Sequence, residues 1–155
     1  MRICCDIDGV LADVREYVIK YLPHDWKTYF SNTEKFPIIG PVASLLYSLS
    51  INPNHEIYLV TGRPESNRNY TMLWLLHRLP ICDIPSPYIL MRPDSDYRPT
   101  HEIKLEWFKE LKPDLIIDDD PKVIEVALKE GFIVLQVHGF RVTENDMVPE
   151  NYLEE

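Results

Sequence analysis

Five short apolar runs punctuate the chain, each bounded by turn residues or charges. The first, Ile3-Cys4-Cys5, leads into Asp6-Ile7-Asp8-Gly9-Val10-Leu11. The others are Glu56 to Val60, Tyr88 to Met91, Asp114 to Ile117 and Phe132 to Val137. They are continuous rather than alternating, which suits strands covered on both faces of a parallel sheet. Helical spacing lies between them. Val42 to Leu49 follows Pro41, a residue suited to a first turn. Pro64 to Leu79 carries Met72, Leu73, Leu75, Leu76 and Leu79. A third helix, with Thr100 as its N-cap, has the stripe Ile103, Leu105, Trp107, Phe108 and Leu111. Pro121 opens a fourth that ends near Gly131. The alternation predicts an α/β fold: a doubly wound, Rossmann-like parallel sheet of about five strands.

The stretch from Ala12 to Ile39 breaks this rhythm. It holds an apolar helical pattern from Val14 to Leu22, then Asp25-Trp26-Lys27-Thr28-Tyr29-Phe30. It is too short for an independent domain, so the expectation is a minimal cap insert over one edge of the sheet. Residues 1–155 are expected to form a single domain, long enough to bury a core, with a polar tail over 138–155. An open site invites a second copy of the chain to cover it, so a homodimer is one expectation. Trp26, Tyr29 and Phe30 would then lie at that contact; otherwise they pack on the core.

The net charge is −9. It argues against a broad nucleic-acid or anionic-membrane surface and leaves room for a local basic pocket. No apolar stretch approaches the ~18 residues that span a bilayer, so no membrane partner is expected. Cys4, Cys5 and Cys82 form no metal-binding spacing. Cys4 and Cys5 are neighbours in a strand, so they should face opposite sides of the sheet. Buried free thiols and a start directly in a strand, without a signal-like apolar segment, fit a cytoplasmic protein.

The chemistry gathers at strand ends. Asp6 and Asp8 follow the first strand, where open α/β sheets bind ligands. Two carboxylates so close repel and call for a cation or a shared proton. Thr61, Gly62 and Arg63 follow the second strand, and Lys104 lies on the helix after the third. Asp118, Asp119 and Asp120 follow the fourth. Asp120 precedes Pro121 and suits an N-cap.

In this order the residues resemble the motifs of the haloacid dehalogenase superfamily of phosphohydrolases. Asp6-Ile7-Asp8-Gly9-Val10 is similar to its first motif, Val60-Thr61-Gly62 to its second, Lys104 to its third and Ile117-Asp118-Asp119 to its fourth. The resemblance implies a Mg²⁺-dependent phosphatase in which Asp6 is the nucleophile and forms an aspartyl-phosphate. Asp8 would be the general acid and base, with Thr61 and Lys104 holding phosphoryl oxygens. Mg²⁺ would take Asp6, the Asp8 backbone carbonyl and Asp118, with Asp119 bound either directly or through water.

Val60-Thr61-Gly62-Arg63-Pro64-Glu65 and Leu90-Met91-Arg92-Pro93-Asp94 narrow the likeness to the phosphatase domain of phage polynucleotide kinase-phosphatases. That implies substrate contacts from Gly62, Arg63 and Arg92, and a nucleotide or nucleic-acid 3′ end as substrate. Two departures stand out. Thr100 replaces an aspartate of that pattern, and its early arginine has only Arg15 as a candidate. Tyr97, Arg98 and His101 are further candidates for the same edge. A 5′-nucleotidase and a noncatalytic binding domain are the alternatives.

Overall fold

The computed structural model describes residues 1–79 and 88–138, so Cys82 and the tail beyond His138 lie outside the described residues. Five strands form one parallel sheet: β1 (Arg2–Cys5), β2 (Glu56–Pro64), β3 (Ile89–Arg92), β4 (Leu115–Asp118) and β5 (Val134–Gln136), in the order β3-β2-β1-β4-β5. Ile3 pairs with Ile57 on one side and with Leu115 on the other, so β1 is the central strand. The chain builds outward from β1 through β2 to β3, then crosses to start again at β4. This reversal beside β1 opens a crevice at the C-terminal ends of β1 and β4.

Among the described residues six α-helices flank the sheet: α1 (Arg15–Tyr21), α2 (Trp26–Ser31), α3 (Gly40–Ser50), α4 (Arg68–Arg78), α5 (Thr100–Leu111) and α6 (Pro121–Lys129). Successive strand residues separate into two cores, as a pleated sheet requires. Cys5, Leu59 and Ile117 pack with Leu46, Trp74 and Leu75 of α3 and α4. Cys4, Val60 and Ile116 pack with Phe108 of α5 and with Val123 and Ala127 of α6. The two cysteines thus face opposite sides, both wholly buried.

The 12–39 insert belongs to the first core. Leu11, Val14, Leu22, Tyr29 and Phe36 share that cluster with the sheet and with Trp74. Polar ties reinforce it. Trp74 Nε1 donates to the Phe36 carbonyl at 2.8 Å, and Asn67 Nδ2 donates to the Phe30 carbonyl at 3.1 Å. Asp25 caps α2, its carboxylate accepting from the Thr28 amide at 2.9 Å. The aromatic trio divides: Tyr29 is buried, Phe30 packs against the core, and Trp26 remains 53% exposed.

Three boundaries differ from the sequence expectation. Pro64 ends β2 instead of opening a helix; a 3₁₀ turn over Glu65–Asn67 intervenes before α4. A register shift between Thr61 and Pro64 keeps this segment extended beside β3. Thr100 is the first residue of α5 rather than its cap; Pro99 holds the cap position, and the Thr100 hydroxyl accepts from Arg92 Nη2 at 2.7 Å. The fifth strand is shorter than its apolar run, because Phe132 packs against the α5–α6 core before β5 begins. Asp120 does cap α6, accepting from the Lys122 amide at 2.8 Å. Among the described residues no helix is long and apolar enough to cross a membrane.

Candidate active site

The sheet itself brings the first two acids together. The Asp6 amide donates to the Ile117 carbonyl at 2.9 Å, extending the β1–β4 ladder one residue past Cys5. Asp6 and Asp118 thereby stand side by side. The chain then turns sharply: the amides of Leu11 and Ala12 both donate to the Ile7 carbonyl at 2.8 Å. Gly9 has φ +84°, a conformation that costs glycine little. A Cβ there would lie 2.2 Å from Asp119 Oδ2, so no side chain fits without displacing that carboxylate.

Asp6, Asp118 and Asp119 are all buried and each offers an oxygen within 4.8 Å of the others. Lys104 reaches them from α5 and is itself buried. Its Nζ lies 2.9 Å from Asp6 Oδ1 and donates to Asp118 Oδ2 at 2.7 Å. The other Asp118 oxygen accepts from the Asp120 amide at 2.9 Å. Burial disfavours the Lys104 charge, but Asp118 and Asp6 outweigh it and raise its pKa. One ammonium does not neutralise the site. Burial pushes Asp6 well above the usual carboxylate range; Lys104 pulls it down, while Asp118, Asp119 and Asp8 push it further up. Buried, oxygen-only carboxylates with uncompensated charge suit a hard divalent cation.

Asp8 lies outside that cluster, because its carboxylate turns to Arg63. The guanidinium of Arg63 makes a two-pronged bond, Nε to Asp8 Oδ2 at 2.9 Å and Nη2 to Oδ1 at 2.5 Å. Its Nη1 donates to Thr71 Oγ1 at 3.0 Å, and that hydroxyl donates to Asn67 Oδ1 at 3.0 Å. The rings of Phe36 and Trp74 lie 5.5 and 5.8 Å from its central carbon. Arg63 is therefore a buried residue of β2 rather than a surface arginine at a helix start. Its guanidinium is spent on Asp8 instead of being held out towards a phosphate. Any metal contact from Asp8 would fall to its backbone carbonyl.

A cavity of about 790 Å³ opens over these groups and brings most of the expected residues together: Asp6, Asp8, Gly62, Arg63, Arg92, Lys104 and Asp119. Thr61 and Asp118 are wholly buried and are not among its lining residues. The Thr61 hydroxyl oxygen accepts from the Arg63 amide at 3.2 Å. Arg92, expected as a substrate contact, organises its own loop: it donates to the carbonyls of Gly62 at 3.1 Å, Asp96 at 3.0 Å and Arg98 at 2.5 Å, as well as to Thr100. The absence of an aspartate at position 100 is thus answered by a hydroxyl that receives Arg92.

Arg15 pairs with Asp13 at 2.7 Å on the surface and does not line the cavity, nor does His101. Tyr97 and Arg98 do line it. Sequence reasoning left two wall elements without a site role, the apolar side of α1 and the Asp94–Asp96 segment. The amphipathic spacing from Val14 to Leu22 was the available signal for the first.

The comparisons bear on this geometry. A family profile described as "Polynucleotide kinase PNKP phosphatase domain" matches residues 1–140. A chain from a structure of a Pnkp1/Rnl/Hen1 complex superposes with a TM-score of 0.67 at 22% identity, over 88% of this chain and 45% of that one. A chain from a Pnkp1/Rnl/Hen1 RNA repair complex gives 0.66 at 24%, over 88% and 42%. The chain thus spans less than half the length of these relatives. A class C acid phosphatase from Bacillus anthracis gives 0.63 at 15%, over 87% and 65%. At such identities the likeness shows the fold. No curated protein sequence matches this chain.

Gly9→Ala should push Asp119 aside and weaken divalent-cation binding by roughly tenfold or more. Isothermal titration with Mg²⁺ or Mn²⁺ measures this; unchanged affinity would show that Asp119 does not depend on the glycine.

Proposed function

This chain belongs to the family described as the polynucleotide kinase PNKP phosphatase domain, a group of haloacid-dehalogenase-type hydrolases, and from that premise we propose that it is a Mg²⁺-dependent phosphatase of nucleotides or nucleic-acid 3′ ends. The observation that carries this reading is the division of labour between two acids two residues apart. Asp6 sits in the carboxylate cluster with Lys104 against one oxygen. Asp8 lines the same cavity but is clamped by a buried arginine.

Each residue then has a task. Asp6 attacks phosphorus and becomes an aspartyl-phosphate, which divides one slow hydrolysis into two faster steps. Lys104 counters the charge that accumulates between Asp6 and the phosphoryl oxygens. A bound divalent cation supplies the neutralisation that lets one anion attack another. Asp118 and Asp119 would hold that cation, together with Asp6 and the Asp8 backbone carbonyl.

Asp8 serves as acid and then as base. Arg63 only donates hydrogen bonds, so its two-pronged fork fixes the position and orientation of the Asp8 carboxylate. Both Asp8 oxygens accept from the fork, so for the acid step the proton must lie on the second lone pair of one of them, turned towards the leaving group. Held in the same place by the fork, Asp8 then takes a proton from the attacking water. Arg63 is thus a positioning residue for Asp8. Gly62 and the loop held by Arg92 shape the substrate entrance.

The family description supports a nucleic-acid or nucleotide substrate, as does a matched structure described as an RNA repair complex. With Mg²⁺, a 3′-phosphorylated oligonucleotide should release phosphate with higher kcat/KM than its 5′-phosphorylated counterpart. Asp6→Asn should abolish turnover of both, by roughly 10⁴-fold or more. The reverse preference would make the protein a 5′-nucleotidase, and turnover surviving in Asp6→Asn would remove the nucleophile assignment.

Arg63→Lys loses the fork while keeping a charge. Its kcat should fall by about 10²-fold, with KM little changed. A loss confined to KM would instead make Arg63 a substrate contact.

A further inference from the structure

The cavity is far larger than a phosphoryl group requires and lies within the range of pockets that hold a small organic molecule. Its charge is unusual for a site that takes a polyanion. Asp6, Asp8, Asp94, Asp96, Asp119 and Asp120 line it against only Arg63, Arg92, Arg98 and Lys104. All four cations are already engaged. Arg63 holds Asp8, Lys104 bridges Asp6 and Asp118, and Arg92 holds three carbonyls and Thr100. Arg98 pairs with Asp96 at 2.8 Å and also with Glu106. The lining offers no basic track for successive phosphodiesters, the usual source of affinity for a nucleic-acid strand.

The opposite wall offers a different grip. Val14, Val18 and Leu22 of the α1 region continue into Trp26 and Phe30 of α2. Trp26 stacks on Phe30 with ring centres 5.8 Å apart and planes 27° apart. Tyr29 meets Trp26 edge-on at 6.0 Å and 80°, and meets Phe30 at 5.1 Å and 73°. The Trp26 ring is thus braced by two aromatic neighbours while about half of the residue stays exposed, in the wall of the cavity that holds Asp6. A braced aromatic surface loses little entropy on binding, and every nucleobase has a face to stack on it.

We propose that Trp26, backed by Phe30, is the platform on which the base of the phosphorylated nucleoside stacks. This deepens the nucleotide-phosphatase reading and rests on it. The substrate is then gripped at two points: its phosphate among the acids, Lys104 and the cation, and its terminal base on α2. Recognition is local to one nucleoside, so the same grip serves a mononucleotide and a strand end. Short α2 becomes a substrate-binding element that presents Trp26, its exposed aromatic residue.

The test compares wild type, Trp26→Ala and Trp26→Phe on three Mg²⁺-dependent substrates. These are adenosine 3′-phosphate, a 3′-phosphorylated oligonucleotide, and the same oligonucleotide with an abasic terminal nucleoside. Trp26→Ala should lower kcat/KM on both base-bearing substrates by roughly tenfold more than on the abasic one, mainly through KM. Trp26→Phe should recover most of that loss. Adenosine 3′-phosphate should also quench the fluorescence of Asp6→Asn protein, and the added Trp26→Phe change should remove that quench.

Equal losses on abasic and base-bearing ends would overturn the platform, as would no loss on either. A loss confined to the oligonucleotide would overturn the assignment to the terminal nucleoside. Wild-type protein that hydrolyses all three substrates alike overturns the platform and leaves the phosphatase reading standing. Wild-type protein inactive on all three overturns both.

Discussion

A single buried ammonium, Lys104, stands between the carboxylate that ends the β1 ladder and the one that ends β4. The remainder of the site depends on that contact. Parallel pairing of β1 with β4 places Asp6 beside Asp118 whatever the cost of their repulsion. Removing charges from water is expensive, and mutual attraction repays it only with good geometry. Lys104 supplies part of the compensation, yet Asp6 still stays above its ordinary range. The three carboxylates present the oxygen ligands that a divalent cation would need to complete it. The tension is thus created by the sheet order and relieved by what binds.

The second acid is handled separately. Asp8 is withdrawn from the cluster by a fully buried arginine that reaches it from β2, the strand on the opposite side of β1 from β4. Two neighbouring acids in sequence therefore occupy two electrostatic environments, one shared with other carboxylates and one clamped by a guanidinium. Under the proposed function, such separation would let one site supply both a nucleophile and a proton carrier. The rings of Phe36 and Trp74 both lie against the guanidinium, so the insert and α4 help to hold Asp8 in place. The cap is continuous with the core and acts as a fixed wall.

Much of this was legible in the chain. Continuous apolar runs announced the parallel strands, and the acids after the first and fourth marked where a ligand would sit. The fates of Cys4 and Cys5 followed from strand alternation alone. What escaped were contacts across the sheet. Nothing near Arg63 in sequence says that its partner is Asp8, 55 residues earlier. Arg92 looked like a substrate contact because it lies in a loop that resembles the family pattern; its role as a clasp depends on how the loop to Pro99 folds back over it. Thr100 looked like a cap because Thr often is one, but Arg92 needed its hydroxyl more. The wall of the cavity was hidden for another reason: an exposed tryptophan acquires meaning only once its helix is set beside Asp6.

The most direct test of the central claim is the unfolding midpoint of the full chain with saturating Mg²⁺ and with a chelator, in wild type and in Asp118→Asn. If buried carboxylates await a cation, Mg²⁺ raises the wild-type midpoint. The gain corresponds to about 2.7 kcal/mol at a hundredfold excess over the dissociation constant. Asp118→Asn, with one charge fewer against Lys104, should lose most of that gain. A wild-type midpoint that does not respond to Mg²⁺ would contradict the account.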